Sequence, residues 1–176
     1  MPKLLARGYE VIVIDLMWFG CHLQDHPELR IIQGDIRDTD HLPMEGVDVI
    51  IHLASVANDP CSELDPKLTW EISTLATMQL AELSVNSGVR QFIYASSGSV
   101  YGLKDELDVV ETLPLRPISG YNKTKMVAER VLLSYSNQML VQIIRPATVC
   151  GYSPRLRLDV SVNRLTLQAL MNKEIS

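Results

Sequence analysis

The chain has 176 residues, 47% of them hydrophobic and 21% charged, a balance that suits a globular unit with a buried core and excludes a disordered chain or a membrane-spanning one. Its 16 Lys and Arg and 21 Asp and Glu are scattered without runs, so nucleic acid and membrane surfaces are not expected partners and small molecules are. Cys21, Cys61 and Cys150 are odd in number and form no Cys-x-x-Cys pattern, which argues against a disulfide framework and a metal site. With no signal-peptide pattern at the start, a cytoplasmic location is expected.

Leu4 and Leu5 lie on one helical face and Gly8 stands where a helix would stop, so the first residues read as the end of a helix. The run from Glu10 to Asp15 is apolar and β-branched, and it ends in an acid. Such a run describes a strand buried on both faces of a parallel sheet. Similar runs recur at Arg30 to Gln33, Val47 to His52, Arg90 to Ala95 and Leu140 to Ile144. Between the later ones, 66–86, closed by Gly88, and 121–136 carry the helical period. Strands alternating with helices in this way predict βαβ crossovers and an α/β, Rossmann-type doubly wound parallel sheet.

A nucleotide-binding sheet of this type opens with a strand, a Gly-rich turn and a helix start, and none of the three is present. In the strand order 3-2-1-4-5-6 the missing strand is central, so a gap is expected between the strand ending at Asp15 and the one ending at His52. Residues 1–150 are then an incomplete nucleotide-binding domain and 151–176 the start of a substrate-binding region. The expectation is a fragment of a longer protein, or a misplaced start.

The sharpest chemical signal is Tyr121-Asn-Lys-Thr-Lys125, preceded by Ser96 and Ser97 at a strand end. Residues four apart on a helix stand one above the other, so the Lys125 ammonium can stabilise a Tyr121 phenolate. A free phenol, with a pKa near ~10, is too weak a base at neutral pH, and a neighbouring cation would correct this. Alone, Tyr-x-x-x-Lys fits any amphipathic helix. Its context is Val100-Tyr-Gly102, Glu111 to Pro117, and Arg145-Pro146 after the next strand. Together these resemble the extended short-chain dehydrogenase/reductases, specifically the NAD-dependent epimerase/dehydratase family, over nearly the whole chain.

The resemblance implies a catalytic Ser97, Tyr121 and Lys125. Tyr121 would take the proton of a sugar hydroxyl as hydride leaves the same carbon, with Ser97 holding that hydroxyl in line. Where the family's 4,6-dehydratases carry an acid, this chain has Ser97-Gly98-Ser99. Simple oxidation and reduction, as in nucleotide-sugar 4-epimerases and 4-keto reductases, is therefore the expected chemistry.

For the cofactor, the resemblance implies that Asp15 accepts both adenosine ribose hydroxyls. No Arg follows in Leu16 to Gly20 to hold a 2′-phosphate, so NAD is expected. Asp35 and Ile36 of Gly34-Asp-Ile-Arg-Asp38 would meet the adenine, although Asp35 can also be read as a helix N-cap. Leu53 and Ala54 would pass along the cofactor, and His52 reads as a packed strand-end histidine. Ser73 replaces the family's usual asparagine, with shorter reach. Pro146 and Val149 would lie near the nicotinamide.

For the substrate, Ser97, Ser99, Tyr121, Arg155 and Asn163 are the implied contacts; Arg155 and Arg157 can equally be solvated. A homodimer through helices 66–86 and 121–136 is implied as well. The competing reading is a non-catalytic Rossmann-fold sensor or scaffold. Without a glycine loop to cradle the pyrophosphate, weak or no activity is expected of these 176 residues alone.

Overall fold

The computed structural model describes residues 1–173. Its strands are β1 (Val11–Asp15), β2 (Leu29–Gln33), β3 (Val49–His52), β4 (Gln91–Ala95) and β5 (Leu140–Ile144). Its helices are α1 (Pro2–Leu5), α2 (Asp59–Leu64), α3 (Pro66–Trp70), α4 (Ala76–Asn86), α5 (Gly120–Leu133) and α6 (Ser161–Asn172). Every expected strand is found, with shifts of one or two residues at its ends. β1 pairs with β2 in one sheet, and β3, β4 and β5 form a second in that order. No strand pairing joins the two sheets among the described residues.

The chain packs as two compact units, one of residues 33–147 and one made of residues 1–32 with those from 148 onward. In the first, β3, β4 and β5 run parallel, with Ile51 opposite Ile93 and Phe92 opposite Val141. Parallel neighbours need a crossover, supplied by α3 and α4 between β3 and β4 and by α5 between β4 and β5. Alternation along β4 turns Phe92 and Tyr94 to one face, where they close a core with Leu80 and Ala81 of α4, Ala128 and Leu132 of α5, and Met139. On β3 the same alternation buries His52 and leaves Val49 and Ile51 exposed.

Local chemistry sets the helix starts. The Asp65 carboxylate accepts the Leu68 N–H at 2.9 Å at the head of α3, where Pro66 takes a first-turn position that needs no donor. The Ser119 hydroxyl caps α5 by accepting the Asn122 N–H at 3.2 Å. The segment expected as one helix over 66–86 is interrupted: Glu71–Leu75 is π-helical, between α3 and α4. A π turn carries one extra residue, and here it faces α5, where the Thr74 hydroxyl donates to the Thr124 carbonyl at 3.2 Å.

In the unit that holds both termini, α1 ends short of Gly8, which takes φ +80° as a helix-stop glycine does. The Val11 N–H donates to the Glu28 carbonyl at 2.8 Å where β1 meets β2. Among the described residues the three cysteines are free and exposed, no cluster of His, Cys, Asp and Glu could hold a metal ion, and no helix is long and apolar enough to cross a membrane.

Candidate functional site

The polar groups of the 33–147 unit gather at the carboxyl end of β4. The Ser96 N–H donates to the Ile144 carbonyl and the Gly98 N–H to the Pro146 carbonyl, each at 2.8 Å, so the segment leaving β4 stays tied to the one leaving β5. A side chain on Gly98 would come within 3.2 Å of the Pro146 carbonyl oxygen, and this close approach is why a glycine stands there. Ser97 between them is extended, and its hydroxyl caps the 3-10 turn Gly98–Tyr101 by accepting the Ser99 N–H at 3.2 Å.

From Ser97 a short chain of hydrogen bonds runs to the catalytic-type helix. Ser97 Oγ lies 2.7 Å from Ser99 Oγ, and Ser99 Oγ donates to Asn122 Oδ1 at 2.5 Å. An amide oxygen only accepts, so the Ser99 proton is committed to Asn122 and the Ser97 proton to Ser99. Ser97 thus exchanges both a hydroxyl contact and a backbone contact with Ser99. Asn122 is buried, and it follows Tyr121 directly.

Lys125 is 3% exposed. Its ammonium donates to the Ala95 carbonyl at 2.8 Å and lies 4.9 Å from the Tyr94 ring centre and 5.8 Å from that of Tyr121. Burial pulls its pKa down to about 8, against the attraction of Glu129, which raises it. The helical spacing thus delivers what the sequence expected of it, a lysine against the Tyr121 ring at a strand end that continues into Ser97. A cation so placed favours a phenolate.

Beneath this lies a second polar group. His52, 4% exposed, bonds through Nε2 to Thr77 Oγ1 at 2.9 Å and stacks on Tyr94, so it is a packed histidine, as its sequence context implied. Burial, aided by Lys125, depresses its pKa to about 3. Ser73, in the π turn, is buried, with its hydroxyl 3.1 Å from Ser55 Oγ and accepting the Val56 N–H at 3.3 Å. It pins the loop that follows Leu53 and Ala54. Leu53 is exposed and Ala54 and Pro146 are half-buried.

Asp35 is engaged by its own loop: its carboxylate accepts the Arg37 N–H at 2.9 Å and pairs with the Arg37 guanidinium at 2.6 Å, which holds the acid below its usual range. Ile36 beside it is half-buried. The remaining expected site residues, Asp15, Val149, Arg155 and Asn163, belong to the unit that holds both termini. There the Asp15 carboxylate accepts the Met17 N–H at 2.7 Å at an exposed strand end, and Val149 is exposed. The Arg155 guanidinium lies 3.3 Å from the Phe19 ring centre. Asn163 spends both ends of its amide within the chain, accepting the Gly151 N–H at 3.0 Å and donating to the Arg157 carbonyl at 2.9 Å.

Glu129, which the sequence reading passed over, and Arg145, which it used only as a motif residue, organise the site. Glu129, 1% exposed, is held by the Arg145 guanidinium through Nη2–Oε2 at 2.7 Å and Nε–Oε1 at 3.0 Å, and it accepts the Ser96 hydroxyl. Arg145 reaches on to the Tyr101 hydroxyl at 2.8 Å and the Glu111 carbonyl at 3.3 Å. The signal available was the spacing: Tyr121, Lys125 and Glu129 follow at four-residue steps along one helical face.

Comparison with known proteins bears on family and fold. The model of the NAD dependent epimerase/dehydratase family matches residues 1–175. A UDP-glucose 4-epimerase of Streptococcus mutans is 29% identical over 138 residues, 75% of this chain and 41% of that protein. A dTDP-glucose 4,6-dehydratase from Streptomyces venezuelae, solved with NAD and TYD bound, matches at TM-score 0.82 and 26% identity over 97% of this chain and 57% of that one. A UDP-glucuronic acid 4-epimerase from Bacillus cereus in complex with NAD matches at TM-score 0.80 and 26% identity over 99% and 59%. The chain spans about two fifths of that curated relative and somewhat over half of those solved chains.

Proposed function

The chain belongs to the NAD dependent epimerase/dehydratase family, and from that premise we propose that it carries the catalytic centre of a nucleotide-sugar 4-epimerase or 4-keto reductase, with Tyr121 as acid and base. The observation that supports this most directly is the buried Lys125 ammonium, set against the Tyr121 ring and tied to the carbonyl of Ala95, two residues before Ser97. A lysine removed from water and lacking a direct carboxylate bond is costly to keep as mere packing. Its charge has a use if a neighbouring phenol must give up its proton.

The Asp15 carboxylate, at the exposed end of β1, has the acceptor chemistry that two ribose hydroxyls require, and the residues present fit a nicotinamide dinucleotide in this respect. NAD, when bound, supplies the acceptor for hydride from the sugar carbon. In this reading the sugar hydroxyl turns its proton toward Tyr121, and the Ser97 hydroxyl, turning from Ser99, donates to the hydroxyl oxygen and orients it. Tyr121 removes the proton and later returns it, and Lys125 stabilises the phenolate between the two events. No carboxylate stands among Ser97, Gly98 and Ser99 to assist loss of water, which favours epimerisation or keto reduction over 4,6-dehydration. Asp35, Ile36, Leu53, Ala54, Ser73, Pro146 and Val149 complete the proposed cofactor set, and Ser99, Arg155 and Asn163 the substrate set. Residues 1–150 would serve the cofactor and those from 151 the substrate.

The relatives share nucleotide-sugar substrates in their names, and UDP-hexoses are the first to assay. In a version extended at both ends, with NAD and UDP-glucose or UDP-galactose, Tyr121→Phe should lower turnover by about 10²- to 10⁴-fold, while calorimetry finds NAD affinity within about threefold of the unaltered protein. Equal turnover by the two extended proteins, or none by the unaltered extended one, removes the catalytic assignment, whereas the 176 residues alone should show weak turnover or none. A homodimer through the helical stretch 66–86 and α5 is part of the same proposal. Trp70, Leu75 and Met78 line a shallow apolar depression on the first of these, and Leu133 is exposed on the second.

A further inference from the structure

We propose that Glu129, clamped by Arg145, is a positioning residue for this site: it fixes the strand end that presents Ser97 and holds the buried ammonium of Lys125 in its charged form, without touching substrate or cofactor. The inference rests on the reading of Ser97, Tyr121 and Lys125 given above and extends it to a residue that lies outside that triad.

The geometry carries the argument. Helix α5 grips two consecutive residues at the end of β4: Lys125 takes the Ala95 carbonyl at 2.8 Å, and Glu129 takes the Ser96 hydroxyl. Ser97 is the next residue along the chain. The helix that carries Tyr121 therefore also sets where Ser97 begins, and the two reactive hydroxyls are referred to one rigid element. Arg145 extends the grip, binding Glu129 through two nitrogens, the Tyr101 hydroxyl in the turn after Ser97 and the Glu111 carbonyl beyond it. One carboxylate, 1% exposed, thus joins α5, the end of β4, the 3-10 turn and the end of β5.

A buried ion pair of this kind is a poor device for stability alone, because desolvation offsets much of the attraction. Its value here is electrostatic and geometric. The titratable and charged groups facing the Lys125 ammonium are Tyr121 and Glu129 on its own helix, Tyr94 on β4 and His52 on β3, with Arg145 behind Glu129. His52 is neutral, with a pKa near about 3, and burial raises Tyr94, so neither offers a compensating charge at neutral pH. Glu129 is the group that opposes the effect of burial on Lys125, which holds the lysine to about 8.

The test is a titration of Lys125 in the intact chain, followed through the side-chain carbon and nitrogen NMR shifts and assigned by loss of the signal in Lys125→Met. Glu129→Gln should lower the midpoint by about one pH unit, the low end of what a neighbouring opposite charge does to a pKa. The double variant Glu129→Gln/Arg145→Met, which leaves no unpaired guanidinium, should also lower it. Unfolding would move the lysine upward to its ordinary value, so a downward shift cannot be produced by loss of structure. A midpoint at or above that of the unaltered chain in either variant overturns the proposal. In a chain extended at both ends, under NAD and UDP-hexose, Glu129→Gln should lower kcat with KM held, and move the alkaline limb of the pH profile downward in step with the lysine. Absent turnover in the unaltered extended protein with a shifted lysine would refute the enzymatic reading and leave the clamp. Turnover lost in Tyr121→Phe with an unmoved lysine would do the reverse.

Discussion

Acid should destabilise this protein through one histidine. His52 is 4% exposed, bonded to Thr77 at 2.9 Å and stacked on Tyr94, and its pKa falls from 6.5 to about 3, by burial first and by Lys125 second. Between those values the unfolded chain holds a proton that the folded one does not. The contribution is therefore fully present above pH 6.5 and is lost as the pH falls toward the folded pKa. Each pH unit in that window is worth about 1.4 kcal/mol, so moving from pH 6.5 to about 5 should cost about 2 kcal/mol. Above about pH 5 most carboxylates remain ionised in either state, which isolates the histidine. His41, raised by its bond to Asp38, acts with the opposite sign, keeping its contribution below its unfolded pKa and losing it as pH rises, but it is exposed on the surface. The assay is urea unfolding across this range for the unaltered chain and for His52→Gln, which keeps a polar reach toward Thr77 and does not titrate. The variant should show less than about a third of the pH slope. Parallel slopes in the two proteins would mean that the folded state accommodates the imidazolium, and the reasoning from burial would fail.

Two further outcomes follow from other parts of the unit. Gly102 has φ +69°, and a Cβ there would lie 2.1 Å from the Arg116 carbonyl oxygen. Gly102→Ala must both strain the backbone and displace a neighbouring segment, so it should cost at least about 2 kcal/mol in urea unfolding; a loss below about 0.5 kcal/mol, the range of ordinary surface changes, would contradict that geometry. Trp70, 40% exposed on the depression it shares with Leu75 and Met78, should be covered in a homodimer, and Trp70→Glu should raise the dimer dissociation constant by about tenfold or more in sedimentation; a chain that is monomeric before the substitution, or a dimer indifferent to it, removes the proposed interface.

The strands were legible because a short apolar β-branched run has few other uses, and a break in the sheet was expected from the strand order. The π turn at Glu71–Leu75 was not legible. One added residue shifts the helical period by less than its own scatter, and the turn is fixed by a side chain of α3–α4 reaching the backbone of α5, a contact that local sequence cannot encode. Helices α2 and α6 were missed for different reasons. α2 is a six-residue piece set by the Asn58 cap, too short to show a period, whereas α6 carries Val162, Leu165 and Ala169 at helical spacing, a pattern the sequence reading did not take up.

In the site, Tyr121 and Lys125 could be paired from spacing because helix geometry alone brings residues four apart together. Glu129 was silent because an acid on a helix defaults to a solvated face. Yet its neighbours on α5 argue against that default: Ala128 and Leu132 are fully buried, and Lys125 and Glu129 fall on the same side as they do. Two opposite charges on an apolar helical face cannot both be left without partners, since burying each costs several kcal/mol unless it is paired. The partner of the acid then has to come from another element, and an arginine at the end of the next strand is the one residue type that can meet a carboxylate with two parallel donors. Arg145, directly after β5, does this. What the sequence withheld was the register that brings β5 beside β4 and so places that arginine over α5, a tertiary fact set by Phe92 and Tyr94 packing under Leu132 rather than by the residues of the clamp themselves.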